Sequence, residues 1–358
     1  MPSIIFTVAL AVAGILEATS AIHDAMHKGD SACAAADYLK KLATQAEDKL
    51  KNQLARAQSD LSTATRMSIA NKAQATSTRL GTALIAQIIN FEAQKALSAA
   101  LAAYPDIITG VGAVRQLQGV QELISEVEKL NLPDIEAEAT GTWLGLTGVH
   151  LKPNLNPAAT GECTTGANQR QPEERLAAPA TPATRLLIFT IATKPAGTRL
   201  TDDLTVCEAT RMGAFPTAAC QAWTDATNLG FKGGKLLTAQ QKTITQAGGD
   251  TSEYTTSSIT SKELPTQEKL NELTKKIKAM ELAAATLTYT PLMANLETTT
   301  PSENLKQAVA RALKGEQGAY SAGKGKEETD KLLEQEYSEN KKKVKEGIAK
   351  PSREFNPS

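Results

Sequence analysis

Between Asp30 and Tyr104 the chain contains no proline and a single glycine, Gly81. Apolar or small residues return there every three or four positions: Leu39, Leu42, Ala46, Leu50, Leu54, Ala57, Leu61 and Ala64, then less regularly Met67, Ala70, Leu80, Leu84, Ile88, Phe91, Leu97 and Leu101. A stripe of that period is one face of an α-helix, and its persistence over many turns demands a partner helix along its length. Asp30 or Ser31 can cap the start, and Pro105 disfavours helical geometry in Tyr104, which predicts the end of the helix there. About 75 residues rising about 1.5 Å each would make a rod on the order of 110 Å. No ordinary globular core needs such an element.

After the predicted break Asp106 offers a second cap, and Ile108, Val111, Val114, Leu117, Val120, Ile124, Val127 and Leu130 repeat the step up to Asn131-Leu132-Pro133. A short turn between two amphipathic helices makes them antiparallel neighbours, so residues 30–131 are expected to form a helical hairpin with one arm much longer than the other. From 136 to 265 Thr, Gly, Pro and Ala dominate, as in "CTTGANQRQPEERLAAPATPAT", with short β-like runs such as Leu186 to Ile191. That composition predicts a loop-rich head with a few short strands. Helical spacing returns over 266–314 through Leu270, Leu273, Ile277, Met280 and Leu287 and again from Glu303 to Leu313. Residues 323–358 are highly charged and barely amphipathic, which reads as a linker or a solvated helix. The fold class expected is mainly α, an elongated bundle built on a long antiparallel helical hairpin or coiled coil that carries the head. Aromatic residues make up only 4% of the chain, which suits long helices packed through small and aliphatic side chains.

The first 21 residues read as a secretory signal peptide: an apolar run from Ile4 to Leu16, too short for a bilayer span, then small residues with Thr19 and Ala21 at the −3 and −1 positions of a cleavage site. Just beyond, "IHDAMH" places His23 and His27 four residues apart around an acid, close to the H-E-x-x-H zinc pattern. A catalytic metal needs ligands on a rigid scaffold, and these two histidines would stand at the start of the mature chain, with His150 the only other histidine. No metal site is expected. Lys+Arg and Asp+Glu balance at 39 each, which calls for no nucleic-acid partner. The sequence holds no G-x-S-x-G, P-loop or G-x-G-x-x-G, and "GKGK" at 323–326 lacks the P-loop spacing, so neither catalysis nor a cofactor is expected. Cys33, Cys163, Cys207 and Cys220 form no C-x-x-C, and behind a secretion signal an even number of cysteines is most simply two disulfides, in any of three pairings.

The signal segment, then "CAAADYLKKLA" with Cys33 in the first turn of an Ala-rich giant helix, then the hairpin return and a Thr/Gly-rich section with the other cysteines, resembles the N-terminal domain of a trypanosome variant surface glycoprotein, class A in type. The resemblance spans residues 22–322 and rests on the order of features. It implies a non-catalytic, antigenically variable coat glycoprotein that shields the parasite membrane and supports immune evasion. It further implies a homodimer through the long helices, packed among neighbouring coat molecules and meeting host antibodies at the head loops. Localisation would be the extracellular face of the plasma membrane, through a GPI anchor on a C-terminal domain beyond Ser358. The disulfides it implies are Cys33–Cys163 and Cys207–Cys220. One departure is the absence of any Asn-x-Ser/Thr sequon, since Asn356-Pro-Ser is excluded by its proline. The alternative function on the same scaffold is a surface receptor for a host serum macromolecule. A receptor needs aromatic or Arg anchors, and the head offers Trp143, Phe189, Phe215, Trp223 and Phe231.

Overall fold

The structure is a computed structural model and describes residues 31–72, 79–145, 150–155, 163, 183–199, 202–209, 211–215, 219–220, 227–246, 253–292, 303–314, 318–320 and 323–337. The signal segment and the His23/His27 pair lie outside the described residues, as does Trp223. Two helices dominate, α1 (Ala32–Lys72) and α2 (Arg79–Val127). The strands and short helix of the head follow as β1 (Leu130–Leu132), β2 (Ile135–Ala139), α3 (Thr140–Gly145), β3 (Asn154–Leu155), β4 (Ala183–Thr193), β5 (Thr205–Glu208), β6 (Asn228–Lys232), β7 (Gly234–Lys235), β8 (Leu237–Gln246), β9 (Tyr254–Thr256) and β10 (Glu263–Leu264). The chain then forms α4 (Gln267–Ala285), α5 (Glu303–Lys314) and α6 (Lys324–Tyr337).

The hairpin turns elsewhere than its sequence suggests. The reversal falls between Lys72 and Arg79, and α2 runs straight through Pro105, so the arms are 41 and 49 residues rather than one very long and one short. At about 1.5 Å per residue they reach roughly 60 and 75 Å. Proline removes one amide donor and frees the carbonyl four residues back, here that of Leu101. Pro105, Leu101, Ala102 and Tyr104 are all exposed, so water can meet that carbonyl and the helix survives.

The seam explains why the register holds across the proline. On α1 one buried line runs through Ala32, Ala36, Leu39, Ala43, Ala46, Leu50, Gln53, Ala57, Asp60, Ala64 and Met67 in alternating steps of four and three, with Cys33, Ala35 and Leu42 buried beside it. On α2 the same alternation runs through Thr82, Ala86, Ile89, Ala93, Ala96, Ala100, Ala103, Ile107, Gly110, Val114, Leu117, Gln121 and Ile124. That is a coiled-coil heptad, in which alanine is the commonest lining residue. The pairing is antiparallel: Arg115 meets Glu47 at 3.4 Å near one end, while Met67 and Ile85 share a core near the other. Two polar seam positions, Gln53 and Asp60, stand where Leu54 and Leu61 were expected, and Phe91, Leu101 and Ile108, expected in the stripe, face outward.

At the N-terminus of α1 the Ser31 hydroxyl accepts from the Ala34 amide and caps the helix. The β head sits at this end, where Ala32, Ala35 and Ile124 pack with Phe189. Its main sheet has the order β10-β4-β8-β9, all antiparallel, with Leu186 to Thr193 of β4 paired to Ile244 to Leu237 of β8. The strands of two smaller sheets, β3-β1-β7 and β2-β6-β5, come before β4 and between β4 and β8 in the sequence. From the head α4 lies along α2, and Thr266 caps its start by accepting from the Lys269 amide. At the hairpin end α5 and α6 cover Ala64, Met67, Ile85 and Ile89. Residues 324–337, in the stretch expected as a linker, are therefore a packed helix that buries Thr329 and Leu333.

One junction fixes the head to the shaft. The buried side-chain amide of Gln121 donates to the Phe189 carbonyl at 3.0 Å and accepts from the Phe189 amide at 2.7 Å. Phe189 lies just past the two residues of β4 that pair with β10, where Pro265 follows and cannot continue the ladder. A side-chain amide therefore stands in for the missing strand. Gln121→Leu leaves both backbone groups buried without partners and is expected to cost about 3 kcal/mol. Urea unfolding checks it, and a loss under about 0.5 kcal/mol would show that water can replace the amide.

Candidate functional site

Cys33, one residue into α1, is bonded to Cys163, with their Cα atoms 5.2 Å apart, and the Ser125 hydroxyl of α2 lies 3.3 Å from the Cys163 sulfur. This bond spans 130 residues and ties the Thr/Gly-rich segment to the hairpin where its two helices end together. The second disulfide, Cys207–Cys220, closes a 13-residue separation within the head, beside the bridge between Ala209 and Cys220. Chain-entropy reasoning gives about 5 kcal/mol for the long closure and about 3 for the short one. The four cysteines are therefore structural, and none is a free nucleophile.

The other residues singled out by sequence do not converge. His150 is exposed on a loop, and no group of three or more histidine, cysteine, aspartate or glutamate side chains among the described residues could hold a metal ion. Of the head aromatics, Phe189 is buried against α1 and α2, Phe231 is buried, and Trp143 and Phe215 are half-buried, so none stands out as an exposed anchor. Lys324 and Lys326 of "GKGK" belong to α6, where Lys326 pairs with Asp330 at 3.2 Å. Tyr320 sits between Lys306 and Lys326, whose ammonium groups lie 5.2 and 5.8 Å from its ring centre, and its hydroxyl donates to Asp330. That cluster is internally neutralised and joins α5 to α6.

Sequence reasoning missed two features. The first is the outer face of α2. Phe91, Leu101 and Ile108 are 65%, 64% and 45% exposed, and Tyr104 stands among them. Between Lys95 and Arg115 the only charged residue is Asp106. By length and composition this helix could cross a membrane, yet its seam is buried against α1 and α4, which makes it the core helix of a bundle with a second apolar face left uncovered. Large exposed patches of this kind mark interaction surfaces.

The second is a buried polar cluster in the seam. Gln53 donates to the Ala96 carbonyl at 3.2 Å and accepts from the Tyr289 amide at 3.0 Å. Asp60 Oδ2 accepts from the Tyr289 hydroxyl at 2.6 Å and from the Leu292 amide at 2.8 Å. Burial pushes the Tyr289 phenol up, and the Asp60 hydrogen bond and charge push it the same way, so the hydroxyl remains a donor. A search for apolar stripes passes over both residues because they are polar. The signal that finds them is the strict alternation of four and three.

No family model and no curated protein matches the sequence. Among solved structures the chain is similar to Variant Surface Glycoprotein VSG13, with 14% identity over 90% of this chain and 87% of that one and a TM-score of 0.47. It is also similar to a mutant of Variant Surface Glycoprotein VSGsur, with 14% identity over 93% of this chain and 90% of that one and a TM-score of 0.48. A structure of VSGsur bound to suramin gives 14% identity, 93% and 90% coverage and a TM-score of 0.41. All three are variant surface glycoproteins, and each is matched along most of its length.

Proposed function

We propose that this chain is a surface coat protein of the variant surface glycoprotein type, a pillar that holds a variable head away from the membrane. The observation that carries the reading is the placement of the head. Cys33 at the first turn of α1 anchors Cys163 beside the end of α2, so the loop-rich region is tied to one end of a shaft about 60 Å long. Load-carrying and variable parts are thereby separated. A uniform Ala-lined shaft packs side by side with its neighbours, while the head has only to fold and can change its loops, which is the property an immune-evading coat needs. The role is non-catalytic, at the outer face of the plasma membrane, with antibodies meeting the head and a GPI anchor following the C-terminal side.

The same reading includes a homodimer whose seam is the outer face of α2. Leu101, Tyr104 and Ile108 fall at successive steps of three and four on that face, which suits burial against a second helix. Leu101→Asp with Ile108→Asp is expected to convert an elongated dimer into a monomer that keeps its helical circular dichroism. Light scattering with small-angle X-ray scattering checks it. A wild-type chain that is monomeric at tens of micromolar, or a compact spherical particle, would overturn the proposal.

The receptor reading has one observation in its favour. Leu151, Leu155, Val206 and Met212 are exposed in the head. Saturable retention of one serum macromolecule by the immobilised head would support it over the coat role.

A further inference from the structure

The shaft has two separate apolar cores. The head-side core joins Leu39 and Leu50 of α1, Ile107 and Leu117 of α2, and Leu270 and Met280 of α4. The tip-side core joins Met67, Ile85 and Ile89 to Leu305 and Val309 of α5 and Leu333 of α6. Between them lies a waist whose seam positions are Gln53, Ala57 and Asp60 on α1 and Ala93 and Ala96 on α2, all buried and none a large apolar side chain. α4 ends at Ala285, so the layer over the waist is the non-helical strap at 287–292, which runs from Leu287 in the head-side core to Leu292 in the tip-side core.

The polar waist residues are arranged for the strap. Both hydrogen bonds that Asp60 accepts come from it, through the Tyr289 hydroxyl and the Leu292 amide. Its other oxygen, Oδ1, is buried with no partner among the described residues. Gln53 divides itself between the Ala96 carbonyl and the Tyr289 amide, and Arg56 reaches the Tyr289 carbonyl at 3.4 Å. An apolar side chain at position 60 would serve the pairing of α1 with α2 better than a buried carboxylate. Asp60 is there for what it holds.

We propose that the waist is a hinge and Asp60 the latch that closes it. With the strap bound, the tip and the head-side shaft behave as one body. With it released, the hairpin end with α5 and α6 opens as its own cooperative unit, because the alanine seam buries too little apolar area to couple the two cores by itself. Opening would uncover the apolar face formed by Met67, Ile85 and Ile89 while leaving the head undisturbed.

Hydrogen exchange read by mass spectrometry on the whole chain tests this. In the wild type, amides of α5 and α6 are expected to exchange ahead of those in α4 from Leu270 to Ala284. Tyr289→Phe keeps the ring and removes one bond to Asp60, and it should raise tip exchange on the order of tenfold while α4 changes by about twofold or less. If α4 and the tip exchange together in the wild type, or if Tyr289→Phe accelerates both equally or neither, there is no latch.

Discussion

Gly110→Ala is expected to destabilise the fold by about 2–4 kcal/mol, while the same change two residues on, Gly112→Ala, is expected to stabilise it by about 0.5–1 kcal/mol. In a helix interior glycine gives way to alanine with a gain, because the backbone entropy of the unfolded chain falls. Space reverses the sign at position 110. A Cβ there would stand 2.2 Å from Met280 Cβ and 2.8 Å from the Lys276 carbonyl, whereas one at 112 meets nothing within 4 Å. Met280 is buried and the Lys276 carbonyl is part of the α4 backbone, so neither can step aside without moving α4. That movement would open the contacts of Leu270, Leu273 and Ile277 with the head-side core. Urea unfolding of the two variants in parallel is the check. Equal effects would mean that α4 does not approach α2 so closely.

Position 110 also shows how far the sequence can be read. The period of three and four was legible, and with it an antiparallel hairpin, a head and a return helix. The seam itself was read half a face out in places, because large apolar side chains were taken as its markers. Here the close packing is done by alanines and by Gly110, which let the helices approach, while Phe91, Leu101 and Ile108 point outward. The turn was misplaced for a related reason. On an exposed face the carbonyl that proline frees can tilt away from the ring and toward water, so Pro105 does not end α2. The segment that does separate the helices, 73–78, reads Ala-Gln-Ala-Thr-Ser-Thr, with neither proline nor glycine to announce it.

In the head, β4 stood out through Leu186 to Ile191, but its partner β8 did not. The inward positions of β8 are Lys242, Ile244 and Gln246, so no apolar alternation marks it. Which cysteines pair was not legible from the residues alone, since four allow three arrangements. The outer face of α2 and the Asp60 cluster were illegible for opposite reasons: one is apolar where a surface was assumed, the other polar where a core was assumed. Both become visible only once the heptad phase is known.

The inward lysine of β8 leads to the other large expected effect. Lys242 lies 2.8 Å from Glu263, with side chains 11% and 2% exposed, and also donates to the Ser258 carbonyl. Glu263 further accepts from the Thr190 hydroxyl and from the amide and hydroxyl of Thr260, so one carboxylate joins β4, β8 and β10. Burial pushes the Glu263 carboxyl up, but the Lys242 ammonium and the threonine hydrogen bonds outweigh it and hold the group at about 2, below its ordinary 4.5. A depressed value stabilises the fold above pH 4.5, and that contribution, on the order of 3 kcal/mol, drains away as the pH falls toward 2. Lys242→Met leaves the carboxylate buried without its cation and is expected to cost about 3–5 kcal/mol at neutral pH. Protonation relieves that cost, so the gap between variant and wild type should narrow as the pH is lowered from 7 to 3. Adding Glu263→Leu to Lys242→Met removes the stranded charge and should recover part of the loss at neutral pH, although the Thr190 and Thr260 bonds are then forfeited. Thermal melts across pH for the two variants decide it: a gap that stays constant from pH 7 to 3, or a double variant less stable than the single, would show that charge burial is not what makes this pair matter.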